Sequence, residues 1–109
     1  PDLQKTYEAQ QLLSQLGNAD YLIAMDEKGQ NLSSPEFARL IEKIKDNSIE
    51  KCHFMIGGAY GLDQSLLKKA HSHIALGKMT WPHMMARLMT VEQIYRAITL
   101  LSGHPYHKS

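Results

Sequence analysis

Residues 21–56 read YLIAMDEKGQNLSSPEFARLIEKIKDNSIEKCHFMI, and this stretch decides the fold class. It opens on YLIAM, a short continuous apolar run of the kind that forms a strand buried on both faces. Asp26, Glu27, Lys28 and Gly29 then supply a turn. Ser33-Ser34-Pro35-Glu36 fits a capping box, with Ser33 as cap and Glu36 three residues on. Phe37, Leu40, Ile41 and Ile44 fall on one face of the helix that follows. CHFMI, residues 52–56, closes the unit as a second buried strand. Helix alternating with short apolar strand predicts a parallel α/β sheet with helices on both faces.

The pattern continues on either side. Leu3, Tyr7, Leu12, Leu13 and Leu16 stand at helical spacing, and Gly17-Asn18 ends that helix. Downstream, GGAYG (residues 57–61) follows the second strand, and Asp63 caps a short helix with Leu66, Leu67 and Ala70 inside. HIAL (residues 73–76) is a third strand. Met84, Leu88, Val91, Ile94, Tyr95, Ile98 and Leu101 define a long last helix, stopped by Gly103 and Pro105. Without repeats, low-complexity tracts or a linker, residues 1–109 read as a single domain. Three strands are few for this class and the chain begins with Pro rather than Met. An N-terminal strand is therefore expected to be missing ahead of Pro1.

Composition narrows the function classes. At 43% hydrophobic the chain can bury a modest core. No run approaches the roughly 20 apolar residues that span a bilayer, and no charged-then-apolar leader is present, so no membrane partner is expected. The single cysteine, Cys52, allows no internal disulfide, suits a reducing cytosol and reads as a small buried core residue; the expected location is cytoplasmic. The net charge of +1 hides a division. Residues 1–63 hold six basic and ten acidic side chains, whereas residues 64–109 hold six basic and one acidic, Glu92. Five of the six histidines lie in the second part. This polarity suggests an anionic partner, with nucleic acid first, or a dimer whose two parts neutralise each other.

Ligands of open parallel sheets bind beyond the carboxyl ends of the strands. Three segments occupy such ends: MDEKG (25–29), GGAYG (57–61) and GKMTWP (77–82). Their glycines let a ligand approach the backbone, so a nucleotide-like molecule could use free N–H and C=O groups of all three. GGAYG is not the dinucleotide fingerprint, and no Walker lysine exists. His71 and His73, or His104 and His107, are spaced like ligands but lack a further cysteine or close carboxylate, so no metal is expected. His53, inside a strand, reads as a satisfied structural group. Ser65 and Ser72 belong to no nucleophile elbow. Met84, Met85, Leu88 and Met89 make a cluster too wide for one small core face, which leaves an interface use open.

IGGAYGLD (56–63), LGKMTWPH (76–83), EQIYRA (92–97) and HPYHKS (104–109) occur together, in order, with AMDEKG (24–29) upstream. This ordered set resembles the RlmH family, the ribosomal large-subunit pseudouridine N3-methyltransferases of the SPOUT superfamily, over essentially the whole chain. The resemblance implies a trefoil-knotted α/β fold whose C-terminal helix threads a loop of the sheet. It also implies S-adenosylmethionine as methyl donor, contacting Met25, Gly57, Gly58, Leu76, Gly77, Lys78, Met79, Thr80 and Trp81, mainly through backbone groups. It further implies a homodimer in which one protomer's tail completes the other's site, acting on 23S rRNA within the large subunit or assembled ribosome, with no DNA expected. Two positions depart from the family: Ala59 stands where it has proline, and Trp81 where it has an aliphatic residue.

Methylating N3 of a pseudouridine requires loss of its proton, hence a general base within hydrogen-bond reach. His104, Tyr106 and His107 are the candidates, histidine having the more suitable ordinary pKa. Arg96 could hold phosphate or a developing oxyanion, or it could pair with Glu92 one helical turn away. Tyr106 could stack on the base. The alternative to the enzyme is a non-catalytic RNA- or partner-binding α/β knot module that has lost activity with its N-terminal strand. A weaker one is an ATP- or NAD-binding enzyme of another class.

Overall fold

Leu22, Ile23, Ala24 and Met25 have almost no contact with solvent, and a strand with both faces buried belongs at the centre of a sheet. In the computed structural model, which describes residue 17 and residues 20–49, 51–56 and 64–103, that is where it lies. Strand β1 (Asp20–Asn31) is flanked by β2 (Lys51–Ile56) on one side and β3 (Ser72–Ala75) on the other. All three are parallel. The helix expected over residues 3–16 lies outside the described residues.

β1 and β2 pair in unbroken register from Asp20 opposite Lys51 to Met25 opposite Ile56. The pairing with β3 is interrupted: Ile74 faces both Met25 and Gln30. Residues 26–29, expected to be a simple turn, are instead a bulge inside a strand that rejoins β3. Gly29 makes the return possible. A Cβ there would stand 2.6 Å from the backbone carbonyl carbon of His73 and the backbone nitrogen of Ile74, closer than any side chain allows.

Helix α1 (Ser34–Lys45) starts as its sequence dictates. The Ser33 Oγ accepts from the Glu36 N–H at 3.2 Å, and the Glu36 carboxylate accepts from the Ser33 N–H at 2.8 Å, so two otherwise orphaned donors are satisfied. The Ser33 N–H, and then the Ser33 hydroxyl, hold the Glu36 carboxyl below its ordinary pKa. Phe37, Ala38 and Ile44 are buried with Ile23, Met25, Ile74 and Ala97 in one cluster. Phe54 is partly buried against it, its ring 6.2 Å from that of Phe37. β2 is half-buried rather than buried as expected, because among the described residues it is an edge strand.

Helix α2 (Gln64–Lys69) is short and buries Leu66. The chain then ties itself to β1 through His71, whose N–H donates to the Leu22 carbonyl at 2.8 Å. Its Nδ1 accepts from the Leu22 N–H at 2.9 Å, which places the proton of the neutral ring on Nε2. The ring also stacks on Tyr21 at 4.7 Å, and the Tyr21 hydroxyl bonds the Ser72 hydroxyl at 2.5 Å. His71 thus acts as an extra rung between β1 and the start of β3.

Helix α3 (His83–Leu101) packs on α1, but not through the stripe that its periodicity suggests. Its buried residues are Thr90, Ala97 and Thr99. The two threonine hydroxyls are satisfied by the carbonyls of Ala86 (2.7 Å) and Arg96 (2.9 Å). Small side chains let two helices approach closely. Met84, Leu88, Val91, Tyr95 and Ile98 instead face outward, each more than half exposed. Of the residues expected to define the core face, Ile94 and Leu101 pack against the cluster. Among the described residues no helix is long and apolar enough to cross a membrane.

Candidate active site

Beyond the carboxyl ends of β1 and β3 lies a cleft of about 560 Å³. The strands contribute Met25, Ile74 and Ala75, and Leu76 and Gly77 follow directly from β3. Leu32, Ser34 and Phe37 wall it from the start of α1, and Leu88, Met89, Thr90, Glu92 and Gln93 from α3. The walls are mainly apolar. The Ser34 hydroxyl donates to the Gln93 side-chain amide oxygen (Oε1) at 2.8 Å, which joins the two helices across one side. An apolar cleft of this size with a few fixed polar groups suits a small organic ligand, and its place at the carboxyl edge is where parallel sheets bind one.

Met25, Leu76 and Gly77 are therefore brought together. Gly77 has φ 88°, a backbone conformation in which glycine alone is unstrained. Lys78, Met79, Thr80 and Trp81 follow on an exposed loop outside the lining. The Thr80 hydroxyl donates to the Glu27 carboxylate at 2.8 Å. The Trp81 indole N–H donates to the Leu76 carbonyl at 2.8 Å, folding the loop back on its own root. Gly57, Gly58, His104, Tyr106 and His107 lie outside the described residues.

Arg96 is half-buried and pairs with Glu92 at 3.0 Å. Since Glu92 lines the cleft and Arg96 does not, the guanidinium stands one residue back from it. Sequence reasoning did not single out Leu32, Ser34 or Gln93 for the site. Ser34 stood out only as part of a helix start, and no local pattern says which helix will meet it. The methionine cluster divides: Met89 lines the cleft, whereas Met84 and Met85 are exposed.

Cys52 and His53 are held in structural roles. Burial pushes the half-buried Cys52 thiol up to about 11, so it is no nucleophile at neutral pH. His53 Nε2 lies 2.9 Å from the Asp20 carboxylate, at the opposite end of the sheet from the cleft. No group of three or more potential metal ligands occurs among the described residues.

A family model described as "Predicted SPOUT methyltransferase" matches residues 1–107. The chain belongs to the SPOUT methyltransferase family. Among its relatives is the protein named ribosomal RNA large subunit methyltransferase H of Rhizobium leguminosarum bv. trifolii (strain WSM2304). The two are 46% identical over 107 residues, which are 98% of this chain and 67% of that protein. The proteins of the same name from Rhizobium meliloti (strain 1021) and Nitratidesulfovibrio vulgaris (strain DP4) are 44% and 43% identical, over 99% and 98% of this chain and 68% and 69% of theirs.

Proposed function

We propose that this SPOUT methyltransferase methylates N3 of a pseudouridine in 23S rRNA of the large ribosomal subunit, with S-adenosylmethionine as donor. The cleft carries the reading, because Met25, Leu76 and Gly77 meet there at the carboxyl edge of the sheet. Its size and mainly apolar walls fit such a donor. When bound, the donor supplies a methyl group on a positively charged sulfur. Met25, Gly57, Gly58 and the six residues from Leu76 to Trp81 hold it, largely through backbone groups. His104 or His107 takes the N3 proton, Tyr106 stacks on the base, and Arg96, positioned by Glu92, balances negative charge on the RNA. Exposed Lys78, His83 and Arg87 lie beside the cleft-lining segments and favour an anionic substrate.

In this reading the protein is a cytoplasmic homodimer with a trefoil knot in its C-terminal half. The outward face of α3 supports the dimer: five large apolar side chains in one stripe are more than isolated surface residues require. The dimer also brings one tail to the partner's cleft. Calorimetry with S-adenosylmethionine, followed by transfer of labelled methyl to ribosomes lacking the modification, tests the proposal. Saturable binding and label in 23S rRNA are expected. A folded protein that binds no donor would leave a non-catalytic module as the better account. A Leu88→Lys substitution is expected to yield monomers in sedimentation.

A further inference from the structure

Two chain segments leave the cleft on the same side and meet again outside it. One is the bulge at residues 26–29, which begins just after Met25 and is pinned at its far end where Gly29 lies against the backbone of His73 and Ile74. The other is the loop that begins at Leu76 and Gly77 and runs to Pro82. Between them the described structure gives one side-chain hydrogen bond, from Thr80 Oγ1 to Glu27 Oε2 at 2.8 Å. The bulge root is fixed by β3, whereas the loop starts at a positive-φ glycine with open space around it. Glu27 is therefore the anchored partner and Thr80 the one that it restrains.

We infer that Glu27 is a positioning residue for the donor cleft: through Thr80 it clasps the loop after β3 against the β1 bulge and keeps the backbone of that loop in its binding shape. The inference rests on the proposed donor site and adds a residue to it. A loop ordered before the ligand arrives loses less entropy on binding, so the clasp acts on donor affinity. The bond is exposed, and its removal should cost little global stability. Because the bond needs an acceptor and not a charge, glutamine can replace glutamate.

Trp81, the only tryptophan in the sequence, sits next to Thr80 and reports on the loop. The experiment compares wild type, E27A, E27Q, T80V and the E27A/T80V double variant by calorimetry with S-adenosylmethionine, acrylamide quenching of Trp81 and thermal unfolding. E27A is expected to weaken donor binding about threefold to tenfold and to raise Trp81 quenching, with an unchanged unfolding midpoint. E27Q should stay within about twofold of wild type. In the T80V background E27A should add nothing further, since both changes break one bond. Equal affinity and quenching for E27A and wild type would overturn the clasp. An equal loss in E27A and E27Q would overturn it in favour of a charge effect. If wild type itself binds no donor, the donor site falls and this role for Glu27 with it; the quenching comparison then shows separately whether the bond orders the loop.

Discussion

The two ends of the sheet are built on opposite principles. At the amino end, polar groups satisfy one another: Asp20 accepts from the Gly17 N–H at 3.0 Å and pairs with His53. Nearby, His71 takes both the N–H and the C=O of Leu22. At the carboxyl end the chain spends its sequence on glycine, a bulge and an apolar cleft, with a single side-chain bond joining the two loops. Backbone groups consumed at one end hold the strands in register. At the other end, Leu76 and Gly77 leave β3 to border the cleft, beyond the strand ends where parallel sheets bind ligands.

Substitutions can separate the two ends. The largest effect is expected at Gly29, where an alanine Cβ would collide with β3 backbone that cannot yield. Gly29→Ala should lower stability in urea by about 2–3 kcal/mol and impair donor binding as well, since it displaces the bulge. Normal affinity in a destabilised Gly29→Ala protein would uncouple the bulge from the cleft. His71→Ala removes the acceptor of the Leu22 N–H and should cost about 1–2 kcal/mol while leaving donor affinity as in wild type. A loss of affinity there would mean that the two ends are not independent.

The smallest effect is a pH dependence at the amino end. The Gly17 N–H and then His53 hold the Asp20 carboxyl below the ordinary aspartate value of 3.8. A carboxyl lowered by folding stabilises the native state above its unfolded pKa, and that contribution is lost as pH falls through the folded one. Unfolding midpoints of wild type and Asp20→Asn, measured from pH 6 down to pH 3, should converge at the acid end. Parallel curves would show that Asp20 makes no such contribution.

How much of this was legible in the sequence differs by element. The start of α1 could be read to the atom, because Ser33 and Glu36 satisfy each other within one turn. The parallel sheet followed from alternating strand and helix patterns. The bulge could not be read, because its cause is backbone of β3 more than forty residues away. Nor could the orientation of α3. Periodicity marks an apolar stripe but not its partner, and the chain packs Thr90, Ala97 and Thr99 inward while the larger residues face out. At the site, local glycine and loop signals pointed to Met25 and Gly77, and the family resemblance to Leu76 as well. Ser34 and Gln93 carry no local mark and become neighbours only when α1 meets α3.

In the proposed function the methyl donor sits in the carboxyl-edge cleft. Gly77 lines it at φ 88°, and a side chain there is strained although space for it exists. The most direct measurement is transfer of labelled methyl from S-adenosylmethionine to ribosomes lacking the modification, by wild type and Gly77→Val side by side. Label is expected in 23S rRNA with wild type and is expected to be lost with Gly77→Val, whose fold is checked by circular dichroism. Equal labelling by both proteins would contradict this placement of the donor.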